Sequence, residues 1–155
     1  MNSIADIAWS AGIIDGEGTI SIFPRYRSDA IKKGTSFRNH GYCMRVSASN
    51  TDPRIIRKLA ELWGGSFRLV KSNRSNRSPC WHWVIAAKKA LVVVEQITPY
   101  LVCKKEQAIL AISFQSRMVS GRNALSDSEI ELRKCIFEEM KQLNLKSPTR
   151  YEKYC

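Results

Sequence analysis

The sequence predicts an α+β fold: an antiparallel sheet with helices packed on one face and the other face left open. Three observations carry this expectation. Four short stretches alternate between apolar and polar residues with period two, and they fall into two pairs. Each pair is preceded and followed by an apolar stripe at helical spacing, which gives the order αββαββα and then more helix. The 155 residues are 44% apolar, enough for one hydrophobic core and too many for a disordered chain. The core of this single domain is expected at about 4–118, with a helical extension at about 119–155.

Residues 4–15 read as the first helix. Ser3 is its expected N-cap, Asp6 the matching acid, and Ile4, Ile7, Ala8 and Ala11 its apolar face. The glycines of Asp15-Gly16-Glu17-Gly18 end it. Thr19 to Arg27 then alternates, with Thr19, Ser21, Phe23, Arg25 and Arg27 on one side and Ile20, Ile22 and Tyr26 on the other. Pro24 in the middle suits an edge position better than a central one. Phe37–Ser49 reads as a long second strand. Asn50-Thr51-Asp52-Pro53 opens a helix whose stripe is Ile55, Ile56, Leu59, Leu62 and Trp63, closed by Gly64-Gly65. Ser66–Lys71 and Cys80–Ala86 are two further strands, with Phe67 and Leu69 expected inside. Helices follow at Lys88–Ile97, Lys104–Met118 and Asp127–Leu143.

Charge is concentrated in one part of the chain. There are 25 Lys and Arg against 14 Asp and Glu, a net +11. Residues 24–78 alone hold 13 basic and three acidic residues, or +10, leaving +1 for the remainder. A localised positive field suits a polyanion, and nucleic acid ahead of a membrane surface, because no basic amphipathic helix with aromatic anchors is present. The longest apolar run, Ala90–Val94, is far short of a bilayer span, and the acidic Asp6 with no basic n-region argues against a secretory leader. Five cysteines without a C-x-x-C pair read as free thiols, and hence an intracellular setting, the cytoplasm of a prokaryote or an organelle.

The stretch most informative about chemistry is Ser10-Ala11-Gly12-Ile13-Ile14-Asp15-Gly16-Glu17-Gly18. Gly12 and Gly16 lie four apart and so on one helix stripe, where a second helix can approach closely. Asp15 and Glu17 follow at the helix end. A lone accessible carboxylate beside basic strands would repel phosphate; a divalent cation between them resolves the conflict. Such a turn can equally serve only to cap neighbouring backbone groups.

This stretch resembles the LAGLIDADG motif of homing endonucleases. The strand directly after it, the Asn50-Thr51-Asp52-Pro53 helix start and Thr98-Pro99-Tyr100-Leu101 ahead of Lys104-Lys105 extend the resemblance over residues 4–118. The resemblance implies a saddle-shaped sheet lying along the major groove of duplex DNA. It implies a homodimer joined through the motif helices, with Ala11, Gly12 and Asp15 at the interface. It also implies staggered hydrolysis of both strands of a long pseudo-palindromic site, with Mg²⁺ (or Mn²⁺ or Ca²⁺ in the same place) as the sole cofactor. Glu17, standing where the motif's last Asp would be, becomes the metal-binding and catalytic acid. Lys104 becomes the active-site lysine, with Lys105 as the competitor one residue on. Asn50 would position water or else cap the helix, and Arg54 is a weaker phosphate candidate.

The open sheet face would then meet the DNA. Its expected contacts are Ser21, Phe23, Arg25, Arg27, Arg45, Ser47, Arg68, Lys71, Arg74 and Arg77. Trp81 and Trp83 share a parity, and one of them could face DNA. His82 reads as a packing or surface residue. Two alternatives keep the fold and change the function: a DNA-binding regulator without cleavage, and an RNA maturase. Met1 offers no splicing nucleophile, which favours an intron-encoded protein over an intein.

Overall fold

The computed structural model describes residues 2–25, 41–71, 78–118 and 126–145. Helix α1 (Ile4–Glu17) leads into β1 (Gly18–Arg25), and β2 (Gly41–Asn50) follows. Helix α2 (Pro53–Trp63), strands β3 (Ser66–Val70) and β4 (Cys80–Ala86) and helix α3 (Ala87–Ile97) come next. A 3-10 turn at Thr98–Tyr100 precedes α4 (Lys105–Ser116) and α5 (Asp127–Asn144). The strands form one antiparallel sheet in the order β1-β2-β4-β3. Pro24 is therefore on an edge strand, where a residue without an N–H is tolerated best.

Parity divides the sheet as the alternation requires. Ile20 and Ile22 of β1, Met44, Val46 and Ala48 of β2, and Trp83 and Ile85 of β4 are buried on one face. Against them pack Ala11 and Ile14 of α1, Ile56 and Leu59 of α2, and Ala90, Val93, Val94 and Ile97 of α3. Ala108, Ala111 and Phe114 of α4 and Ile136 and Met140 of α5 complete the same cluster. The described part of the C-terminal extension thus belongs to the core, and the Asn144 side chain donates to the Ile20 carbonyl on edge strand β1 (3.0 Å). No helix among the described residues is long and apolar enough to cross a membrane.

Local signals work as expected at the helix starts. Ser3 Oγ accepts from the Asp6 amide at 3.1 Å and donates to its carboxylate at 2.7 Å, which holds the Asp6 carboxyl below its usual range. Ser126 accepts from the Glu129 amide in the same way at the start of α5.

Several expectations are corrected. Helix α1 runs past residue 15 and Gly16 to Glu17, and of the two expected glycines it is Gly18 that ends it, as C-cap. A Cβ on Gly18 would lie 2.7 Å from the Ile14 Cα. Gly18→Ala is therefore expected to destabilise the fold by about 1–3 kcal/mol, the usual cost of overpacking, measurable by urea unfolding. Ile4 is exposed, and the buried stripe of α1 is Ser10, Ala11 and Ile14. Leu69 has the core parity but is 42% exposed, because β3 is an edge strand reaching past the helices. Trp81 and Trp83 both lie on the helix side; neither faces the open side. Trp83 is fully buried, and Trp81 stacks on Phe67 at 4.8 Å.

Candidate active site and nucleic-acid interface

The carboxylates of the motif sit at the C-terminal end of α1, the negative pole of the helix dipole, with no basic residue in its last turn. The two have different surroundings. Asp15 is partly buried and its carboxylate accepts the Val102 amide (2.7 Å) and the Lys104 amide (3.0 Å). Glu17, the last helical residue, is exposed. Asp15 thus pins the 101–104 segment to the helix end. Lys104 completes the link, its Nζ donating to the Asp15 backbone carbonyl. The lysine offsets the helix pole and is held at the same helix end that carries Glu17.

Asn50 lies at this end of the sheet as well. Gly18 pairs with Ala48, so Asn50 stands two residues beyond the strand start that follows Glu17. Its Oδ1 accepts the Asp52 amide at 2.8 Å, forming the turn into α2. The N-cap of α2 is Asp52, not Asn50, because Asp52 accepts the Arg54 amide at 2.9 Å. The Arg54 guanidinium is clamped on the Asp52 carboxylate, with its shortest contact at 2.6 Å. That contact first, and the Arg54 amide second, holds the Asp52 carboxyl down at about 2. Arg54 is therefore committed to a local pair.

The donor set at Glu17 suits a hard cation. Among the described residues no three His, Cys, Asp or Glu side chains converge, so the chain offers an exposed carboxylate and no closed cage. Mg²⁺ is commonly held this way, by one or two carboxylates with water and phosphate oxygens filling the rest of its octahedron.

The open face of the sheet carries the expected side chains in ordered rows. Ser21 pairs with Arg45, Phe23 with Cys43, and Ser47 with Val84; Ser49 and Arg68 both flank His82. The Arg45 guanidinium lies 4.7 Å from the Phe23 ring centre, and its buried Nε has no hydrogen-bond partner among the described residues. Lys71 is exposed just past β3. The described residues of this face include no carboxylate. The side chain of Arg25 and the whole of Arg27, Arg74 and Arg77 lie outside the described residues.

Two further corrections concern charge and the motif helix. The basic run in sequence does not form one surface: Arg54, Arg57 and Lys58 belong to α2, on the helical side, where Lys58 pairs with Asp6 at 3.2 Å. Ala11 is fully buried inside the subunit and has no surface to offer a second copy. The helical turn rotates it with Ser10 and Ile14 toward the sheet, while Gly12 and Gly16 face outward. A Cβ at either glycine would meet nothing within 4 Å. In sequence His82 reads as a packing or surface residue; its neighbours become visible only once β2, β3 and β4 are in register.

Comparison with known proteins found no matching family model and no matching curated sequence. Solved structures do match. The homing endonuclease I-CvuI, in complex with its target in the presence of Ca, superposes with a TM-score of 0.70 at 17% identity, over 94% of this chain and 85% of that one. The archaeal intron-encoded homing endonuclease I-Vdi141I, complexed with DNA, gives 0.69 at 16% identity, over 92% and 86%. I-SmaMI, bound to an uncleaved DNA target in the presence of calcium ions, gives 0.55 at 16% identity, over 96% of this chain and 48% of that one. The order αββαββα, the two-hairpin antiparallel sheet and these superpositions together give the chain the LAGLIDADG homing-endonuclease fold.

Proposed function

We propose that this protein is a metal-dependent DNA endonuclease that acts as a homodimer on a long, near-palindromic duplex. The observation that carries the reading is the end of α1. An exposed carboxylate, Glu17, and a lysine tied to the same helix by Asp15 stand at the end of a sheet whose open face, among the described residues, bears basic and hydroxyl side chains and no acids. Glu17 would hold Mg²⁺ against a scissile phosphate. When bound, the cation supplies charge neutralisation for hydrolysis of the phosphodiester. Lys104 would stabilise the negative charge that grows on the phosphate oxygens, pre-positioned by the three contacts to Asp15. Asn50 keeps its amide nitrogen and one lone pair of its oxygen for solvent or substrate, the other being used in the turn.

The dimer is supported by the exposed face of α1. Two interior glycines each cost about 0.5–1 kcal/mol relative to Ala, and nothing within 4 Å inside the subunit requires them. The helix is also apolar nearly all round, with Ile7, Trp9 and Ile13 only partly buried. A second α1 packed across Gly12 and Gly16 answers both features. A symmetric pair has two Glu17 sites, one for each strand, and two sheets for two half-sites.

The test is cleavage of a randomised duplex library with Mg²⁺ and with EDTA. The expected result is double-strand cuts at a near-palindromic sequence in Mg²⁺ alone. Binding without cuts under any divalent metal would replace this reading with a non-cleaving regulator. Failure to bind or cut duplex DNA would direct attention to structured intron RNA.

A further inference from the structure

His82 lies on the open face of inner strand β4, toward the Asn50 end of the sheet and directly between Ser49 of β2 and Arg68 of β3. Its Nδ1 is 2.8 Å from Ser49 Oγ. We propose that His82, oriented by Ser49, and Arg68 beside it together read guanine in the major groove. This deepens the endonuclease reading and rests on it for the DNA partner.

The argument begins with protonation. Burial first, and the cations Arg68 and Arg45 second, hold the imidazole below its usual pKa, so it is neutral at physiological pH. Other groups facing it do not reverse this: Cys80 is on its own strand, and the open face has no carboxylate among the described residues. A neutral imidazole has one donor and one acceptor nitrogen, and the partner of one fixes the other. In the Nε2–H tautomer, the form a neutral imidazole ordinarily favours, the Ser49 hydroxyl donates to Nδ1 and the ring proton stays on Nε2.

In that form His82 presents its Nε2–H donor beside the exposed Arg68 guanidinium of the adjacent strand, two donors side by side. Guanine is the base whose major-groove edge offers two acceptors, N7 and O6, and no donor; adenine and cytosine both place an amino group there. Arg68 and His82 are paired on adjacent strands, about 4.8 Å apart, and can reach one base edge together. The neutral imidazole adds base selection without adding another phosphate-seeking charge.

The experiment is selection of bound duplexes from a randomised library in Ca²⁺, with the wild type, His82→Ala and Ser49→Ala. Wild type is expected to enrich guanine at one position in each half-site. His82→Ala is expected to lose that preference and bind the wild-type sequence about tenfold more weakly, while a duplex with that guanine replaced binds both proteins equally. Ser49→Ala keeps the ring but releases its tautomer, and adenine is expected to become acceptable at the same position. Thermal unfolding checks that each variant folds; if His82→Ala does not, Ser49→Ala carries the test. An unchanged profile in the folded variants overturns the proposal. So does equal weakening on all sequences, the mark of a phosphate contact. Cutting of the selected duplex in Mg²⁺ is scored separately: absence of cuts would reject the nuclease and leave the base preference standing. A wild type that enriches no duplex rejects both.

Discussion

Glu17→Gln is expected to abolish DNA cleavage while leaving folding and DNA affinity intact. The side chain is exposed on the last turn of α1, so the amide fits without repacking. What is lost is the charge that would hold a divalent cation at the negative pole of the helix. Loss of metal-assisted charge neutralisation is worth several kcal/mol in the transition state, or roughly a thousandfold or more in rate. Removing a negative charge near DNA should not weaken binding and is expected to strengthen it slightly at low salt. Single-turnover cleavage of the selected duplex, beside a binding titration in Ca²⁺, separates the two effects. Cleavage by Glu17→Gln within tenfold of wild type would remove Glu17 from the chemistry and leave Asp15 as the carboxylate to test. Asp15 is a poor substitute, because its oxygens already accept the amides of Val102 and Lys104.

Trp83→Ala is expected to carry the largest stability effect. Trp83 is fully buried at the centre of the sheet's helix face, and its indole N–H donates to the Gly64 carbonyl at 2.6 Å. That contact joins β4 to the turn after α2. The turn depends on Gly64 and Gly65, at φ 70° and 94°, conformations that side chains other than glycine rarely adopt. A Cβ at Gly65 would also come within 2.9 Å of the Trp83 nitrogen. Truncation opens a cavity and removes the bond to the Gly64 carbonyl, for which about 3–5 kcal/mol is usual. Against the typical 5–15 kcal/mol of a whole domain, this takes most of the margin. Denaturant unfolding should show the midpoint falling steeply; a loss under about 1 kcal/mol would mean that the indole is not the keystone of the α2–β3 turn. Because Trp83 faces the helices, the folded fraction at low temperature should still bind DNA, which distinguishes a core role from a contact role.

Much of this protein was legible in its sequence, and for local reasons. Period-two alternation placed Ile20 and Ile22 inside and Ser21, Phe23, Arg45 and Ser47 outside, because successive strand side chains point to opposite faces. Ser3 with Asp6 announced a helix start because the hydroxyl and the carboxylate reach backbone and side chain three residues apart. Composition and charge indicated a polyanion partner. The acids of the motif, and the small residues before them, were readable as a unit.

Other features required the tertiary structure, since they depend on which distant segments meet. Charge counted along the chain joined Arg57 and Lys58 to Arg45, yet a helix carries the first two to the opposite side of the sheet. Helical spacing alone could not say that Ala11 turns inward while Gly12 turns outward; the position of the sheet decides that. The strand parity shared by the two tryptophans did not say which face was covered, and both proved to lie under the helices. Asp15 and Lys104, 89 residues apart, are joined only by the fold. His82 gains Ser49 and Arg68 as neighbours only through strand register. Periodicity records how each segment divides between inside and outside; what stands beside a side chain is set by the packing of segments far apart in the chain.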